Sequence, residues 1–451
     1  MKKYTSAVVL LRRDLRLQDN RALQRALQEA GQVYLLFVVD PRFDRQPPAR
    51  QHARQALWQA LQQLDKHLAG QAAGLNLLYG ELQPALAAFA RQQPFDALYI
   101  NCDYSPAGRR RQRELASLAQ QLGVALHGEH DILLFPPGMI LRDDGRPYSV
   151  FTPFYRKTCQ YAVEALARYP LHGLQPAVAG QALDGRQLAQ HWQLASPSPA
   201  PVDNWQARLA ACTDYAALRD VPAAAASSRL SLSLKLGTVS VREAWHAIHA
   251  QLGSDSPLLR QLVWRDFYHH VLYHFPYAAN RAFQRRYDAI AWRNDAQQFA
   301  AWCDGRTGFP LVDAGMRELN ASGFMHNRVR MVVASFLVKD LHIDWRQGER
   351  YFADRLADYD LAVNNGNWQW AASTGCDAQP YFRIFNPWLQ QKKFDPDCVY
   401  IKHWLPELAH LAPRQIHRWA QQPQGADYPP PMVDHSLQSR LSKALFAACG
   451  N

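Results

Sequence analysis

The feature that most restricts the fold is a change of hydrophobic period along the chain. Through the first hundred residues, short apolar runs, "SAVVLL" (6–11), "VYLLFVVD" (33–40), "LNLLYG" (75–80) and "DALYINCD" (96–103), alternate with helix-like segments such as "NRALQRALQEA" (20–30) and the stretch from about 49 to 69. Continuous β-branched and aliphatic runs separated by helices predict a parallel sheet covered on both faces, that is, a doubly wound α/β domain. Such sheets bind ligands beyond the carboxyl ends of their strands, where "RRDLRLQDN" (12–20) and "NCDYSPAGRRR" (101–111) fall. No GxGxxG follows the first strand, which argues against a standard dinucleotide site there.

From about 131 to 200 the pattern breaks into "LLFPPG", "RDDGRPY" and the Pro/Ser-rich "ASPSPAPVDN" (195–204), a long connector. Beyond it helical periodicity dominates. In "RVRMVVASFLVKDL" (328–341), Val329, Val332, Val333, Phe336 and Leu337 form one apolar stripe. The expected organisation is therefore an α/β domain over 1–131, a connector over 132–200 and an all-α domain over 201–451. A chain of 451 residues has room for two or three cores.

No apolar run reaches the roughly 18 residues that span a bilayer, and Met1 to Leu11 holds too short an apolar stretch for a signal peptide. The expectation is a soluble cytoplasmic protein. Seven cysteines without a CxxC or CxxxC pair argue against both a disulfide framework and a zinc site. The net charge of +11 fits a polyanionic partner, most simply nucleic acid, although ordinary solubility accounts for it as well. Charge does not locate the site.

Several short constellations carry chemistry. In "NRVRM" (327–331), Asn327 and Met331 share a helical face flanked by Arg328 and Arg330, an arrangement able to meet a base and its phosphates. On spacing alone, a solvated Arg edge is the commoner reading. In "RQLVWRDFYHH" (260–270), Gln261 and Trp264 share a face, as an amide and an aromatic plane holding an unstacked base would; a core tryptophan is the plainer alternative. Asp358 and Asp360 precede "NNGNW", and carboxylates with asparagines suit the ring N–H and nitrogen of a heteroaromatic cofactor such as flavin. Ser227 to Ser231, "SSRLS", open a helical run where phosphate binding and simple capping both fit.

Together these motifs mark a family. From "LLRRDLRLQDNRAL" through "WRDFYHHVLYHFP", "GFPLVDAGMRELNASGFMHNRVRMVVASFLVKDL", "DWRQGERYF", "NNGNWQWAASTGCDAQPYFRIFNP" and "KFDPD", the chain resembles the photolyase/cryptochrome family. It is most similar to the class I cyclobutane pyrimidine dimer photolyases, and the resemblance covers almost the whole chain. It implies a Rossmann-like antenna domain joined to a helical domain holding a U-shaped FAD. Tyr215, Ser227, Ser228, Arg229, Leu230 and Ser231 would then meet the cofactor's phosphates and ribose. Asp360 would receive the flavin N3–H, Arg330 and Asp358 would pair beside the ring, and Asn364 would face N5.

The implied reaction is light-driven: excited reduced flavin passes an electron to a pyrimidine dimer flipped out of UV-damaged DNA, and the ring splits. By resemblance, Trp264 and Trp370 would stack on the lesion, Asn327 and Met331 would touch it, and Arg219, Arg328 and Lys393 would contact phosphates. Trp368, Trp345 and Trp292 would form the relay that restores reduced flavin. Two helical steps turn a side chain by about 200°, so Trp368 and Trp370 should point apart.

Two positions depart from the family pattern. Gln261 stands where a glutamate usually hydrogen-bonds the dimer, which implies repair retained at lower efficiency. Tyr359 stands where glycine is common. Gly108 stands where folate-binding relatives carry glutamate, whereas Asp103 and Lys235 resemble contacts to an 8-hydroxy-deazaflavin antenna, so that chromophore is expected ahead of methenyltetrahydrofolate. The competing functions are a cryptochrome-type blue-light photoreceptor, favoured by Gln261, and repair of the six-four photoproduct, disfavoured by Asn327 and Met331. A monomer is expected.

Overall fold

The computed structural model describes residues 2–41, 50–194, 204–224, 226–377 and 383–449. Residues 195–203 of the Pro/Ser-rich connector, and Ala378 to Phe382 within the family motif, lie outside the described residues. Contacts divide the chain into two compact units: Met1–Pro147, Pro153–Ala207 and Arg229–Tyr273 form one, and Tyr148–Thr152, Arg208–Ser228 and His274–Asn451 form the other. The units interleave along the sequence, so they do not coincide with the linear ranges 1–131, 132–200 and 201–451.

The first unit holds strands β1 (Tyr4–Leu11), β2 (Ala30–Val39), β3 (Leu75–Tyr79), β4 (Ala97–Asn101) and β5 (Ala125–Glu129). Helices α1 (Arg21–Glu29), α2 (Gln51–Ala69), α3 (Leu82–Gln92) and α4 (Pro106–Leu122) connect them. The sheet runs β3-β2-β1-β4-β5 with every pairing parallel. This is the doubly wound sheet expected from the apolar runs. One side of it packs Ala7, Val9 and Leu35 against Leu23, Leu61 and Leu64, and the other packs Val8, Leu10 and Leu36 against Leu86, Phe89 and Leu115. Period-2 alternation buried on both faces produces the continuous apolar runs seen in the sequence.

The strand order reverses between β1 and β4, where such parallel sheets form a crevice. A polar network closes it here. Asn101 Nδ2 donates to Asp14 Oδ2 (2.6 Å) and Asn20 Oδ1 (2.8 Å), and Asn20 caps α1 by accepting from the Leu23 N–H at 3.2 Å. Beyond it Arg242 donates to Asp19 Oδ2 (2.9 Å) and Asp131 Oδ1 (2.7 Å), and Arg16 donates to Asp131 Oδ2 at 2.6 Å. The same unit includes helices α5 (Leu230–Leu236) and α6 (Val241–Leu252), and α7 (Pro257–His274) up to Tyr273.

In the second unit every named element is helical. Helices α8 (Pro310–Ser322), α9 (Asn327–Lys339), α10 (Trp345–Arg355), α11 (Leu361–Ala372) and α12 (His435–Ala447) surround one apolar cluster. The stripe read from the sequence lies at its centre: Val329, Val332, Val333, Phe336 and Leu337 are all buried on α9. Side chains mark the helix starts as expected of N-caps: Asp344 accepts from Arg346 N–H at 3.0 Å, and Asp360 accepts from Ala362 N–H at 3.0 Å. Among the described residues no helix is long and apolar enough to cross a membrane, and no group of His, Cys, Asp and Glu could hold a metal ion.

Candidate cofactor and DNA site

Within the second unit, α9, α10 and α11 carry eight of the expected residues, with Asp358 and Asp360 just ahead of α11. Arg330 on α9 donates through Nε to the Met325 carbonyl (2.7 Å) and through one terminal nitrogen to Asp358 Oδ2 (3.0 Å) and Oδ1 (3.2 Å). The predicted Arg330–Asp358 pair therefore exists, with the carboxylate buried and the guanidinium 24% exposed. Asp360 uses Oδ1 to cap α11, which fixes the carboxylate at the start of the helix carrying Asn364. Asn364 is 9% exposed; its Nδ2 donates to Glu349 Oε1 at 3.0 Å, and its Oδ1 receives no hydrogen bond from a described residue.

The two tryptophans of "NWQW" point apart. Trp368 is 2% exposed, with ring centroids of Phe352 at 5.0 Å and Trp302 at 6.2 Å. Gly348 on α10 admits it, because a Cβ there would overlap the Trp368 ring. Trp370 is half-buried and faces Phe385 at 6.3 Å. Trp345 is buried in the same cluster as Trp368, and Trp292 packs against that cluster half-exposed, with Phe446 at 5.8 Å.

Asn327 and Met331 do share a face: Asn327 is exposed and its Nδ2 lies 3.8 Å from the Met331 sulfur. Arg328 is engaged within the protein, paired with Asp220 at 2.9 Å and lying 4.3 Å above the Phe394 ring. Lys393 is exposed, and the Arg219 guanidinium stands 5.7 Å over the Tyr215 ring. Ser227 and Ser228 belong to this unit, whereas Arg229, Leu230 and Ser231 fall in the first. Helix α5 starts at Leu230 behind Arg229 in left-handed geometry (φ 49°), and no side-chain hydrogen bond caps it.

In the first unit, Gln261 and Trp264 lie half-buried on α7 at the expected spacing, and the Trp264 ring packs on Tyr268 (5.5 Å) and Phe267 (5.6 Å). Asp266, two residues on, accepts from the Phe135 N–H at 3.1 Å, and burial pushes its carboxyl up to about 7. At the carboxyl end of β4, burial works to raise the Asp103 carboxyl but Arg13 and Arg12 outweigh it and hold it below the usual value. A Cβ on Gly108 would collide with the Asp103 carboxyl group. A glutamate at 108 is thus incompatible with Asp103 in this position. Lys235 is half-buried on α5.

Sequence reasoning missed Glu349 and Gly348. Both sit in "RQGERYF", which was read only as part of a motif; the available signal was Glu349 four positions after Trp345 and three before Phe352, a carboxylate on an aromatic helix face.

The arrangement suits a flat heteroaromatic cofactor. A buried carboxylate paired to arginine, a second carboxylate fixed by a helix start, and an amide carbonyl accepting nothing from the described protein offer complementary polar contacts to a flavin ring.

Known proteins resemble the chain over almost its whole length. Residues 258–448 match the model of the FAD binding domain of DNA photolyase, and residues 7–171 match that of DNA photolyase. A Synechococcus protein named deoxyribodipyrimidine photo-lyase is 39% identical over 463 residues, covering 96% of this chain and 95% of its own. An archaeal photolyase from Sulfolobus tokodaii, solved with two FAD molecules, superposes with a TM-score of 0.90 at 36% identity, over 98% of this chain and 100% of that one. A bacterial class III photolyase from Agrobacterium tumefaciens superposes with a TM-score of 0.89 at 34% identity, over 100% and 98%.

Proposed function

The chain belongs to the DNA photolyase family, and we propose that within it the chain is a class I enzyme acting on cyclobutane pyrimidine dimers flipped out of UV-damaged DNA. It is a light-dependent DNA-repair lyase that binds FAD. FAD, when bound, supplies a light-excitable electron donor. The protein's own task is to hold, orient and dry the reactants.

Each side chain has a stated part. Asp358, neutralised by Arg330, and Asp360 hold the polar edge of the flavin, and Asn364 offers its carbonyl to the N5 edge. Tyr215 and Ser227 to Ser231 take the phosphates and ribose. Trp264 and Trp370 stack the lesion, Asn327 and Met331 bound it, and Gln261 donates an amide N–H to a dimer carbonyl. A neutral amide gives no proton to a developing anion, so repair is retained with lower efficiency than a glutamate would give. Trp368, Trp345 and Trp292 carry oxidising equivalents from the core toward the surface. Arg219 and Lys393 contact phosphates, with Arg328 supporting them from its pair with Asp220.

Asp103 with Lys235, together with the steric exclusion of glutamate at 108, supports a deazaflavin antenna over a folate. The protein acts as a cytoplasmic monomer.

The observation that carries this reading is the split of the "NWQW" pair, with Trp368 sealed into the aromatic cluster and Trp370 left half-open two residues away. The test uses FAD-loaded, chemically reduced protein and a thymine oligonucleotide containing dimers. Loss of dimers in light and not in darkness is expected. Bound flavin with no repair under light would move the assignment to a photoreceptor.

A further inference from the structure

Asn364 is one of two donors to a single oxygen. Its Nδ2 lies 3.0 Å from Glu349 Oε1 and 3.4 Å from the Glu349 carbonyl, while the Tyr359 hydroxyl donates to the same Oε1 at 3.2 Å. The three residues come from different places: Glu349 from α10, Asn364 from α11, and Tyr359 from the segment before α11. An ionised carboxylate only accepts, and each of its oxygens has room for two donors. Both neighbours must therefore present hydrogens to Glu349. An amide is planar, so once its NH2 faces Glu349 its carbonyl faces away.

Burial raises the Glu349 carboxyl, and the hydrogen bonds from Asn364 and Tyr359 work against that rise. Without the phenol, one charge-assisted hydrogen bond favouring the ionised form is lost, and a neutral Glu349 could instead donate and let the amide reverse. Tyr359 also packs its ring against the apolar cluster, a structural role that Phe would preserve.

We propose that Tyr359 is a positioning residue: through Glu349 it fixes the Asn364 amide with Oδ1 toward the N5 edge of bound flavin, and so helps set the flavin's redox balance. This rests on the FAD site proposed above. It also gives a use to Tyr359, a departure from the pattern of the family that the sequence resembles.

The test is a double-mutant cycle read by spectroelectrochemistry of the full FAD-loaded chain. Tyr359→Phe should change the ratio of reduced to oxidised flavin at fixed solution potential by roughly fivefold, the equilibrium equivalent of one hydrogen bond. In a Glu349→Gln background the same change should have an effect of less than about twofold. If Glu349→Gln does not accumulate, Asn364→Ala serves as the second background, and the Tyr359→Phe effect should vanish there. An unchanged ratio in Tyr359→Phe, or equal shifts in both backgrounds, would overturn the inference while leaving the FAD site intact. A wild-type chain that retains no FAD on reconstitution would overturn the site and the inference together.

Discussion

Two arginine–aspartate clusters, one in each unit, show what separates architecture from site. In the first unit, Asp131 receives Arg16 on one oxygen and Arg242 on the other, Arg242 also takes Asp19, and all four side chains are at least 92% buried. Burial would raise Asp131, but the two guanidinium groups hold it below the ordinary carboxylate value. In the second unit, Asp358 has Arg330 through a single terminal nitrogen, and the guanidinium stays partly exposed. The closed cluster ties two loops to the start of α6, segments distant in sequence. The open one leaves its arginine partly exposed, as the proposed flavin site requires. Charge density alone does not tell them apart.

Breaking the closed cluster should give the largest effect. Arg242→Met leaves Asp19 without a guanidinium and Asp131 with one, and removing one partner of a buried pair costs about 3–5 kcal/mol. Chemical denaturation should show a loss of that order; a loss below about 1 kcal/mol, typical of surface pairs, would dissolve the contrast.

Asp266 sharpens the comparison, being a buried carboxylate close to one arginine yet raised. Arg265 lies 3.6 Å away, and burial prevails, pushing the group up to about 7. A carboxyl raised above its unfolded value of about 3.9 favours folding while protonated. That contribution is fully present below pH of about 4 and is lost as pH rises through about 7. Asp266→Asn can still accept from the Phe135 N–H, so its unfolding free energy should lose this dependence and exceed the parent's at pH 8 by an amount on the order of a few kcal/mol. Parallel pH profiles for the two proteins would show that Asp266 does not titrate in this range.

Much of the fold was legible because it depends on local period. The four strands named from apolar runs are in the sheet, and the α9 stripe faces the core. The fifth strand, "ALHGE", escaped because it is an edge strand of mixed, half-exposed residues with no apolar run. The opposite orientations of Trp368 and Trp370 followed from helix geometry. In the loop "RRDLRLQDN", which falls at the carboxyl end of β1, Arg16, Asp19 and Asn20 are committed to the framework. Their partners Asp131 and Arg242 are 115 and 223 residues away from Arg16 and Asp19 respectively, beyond any local pattern. The same limit hid Glu349, 15 residues from Asn364 and on another helix.

The most direct measurement compares FAD occupancy with thermal unfolding in Asp358→Asn. The account predicts roughly a tenfold or greater fall in FAD affinity, as expected when a charged hydrogen-bonding partner is neutralised, with the unfolding midpoint of the FAD-free protein little changed. Retained FAD together with a large drop in that midpoint would contradict it, making Asp358 part of the framework like Asp131.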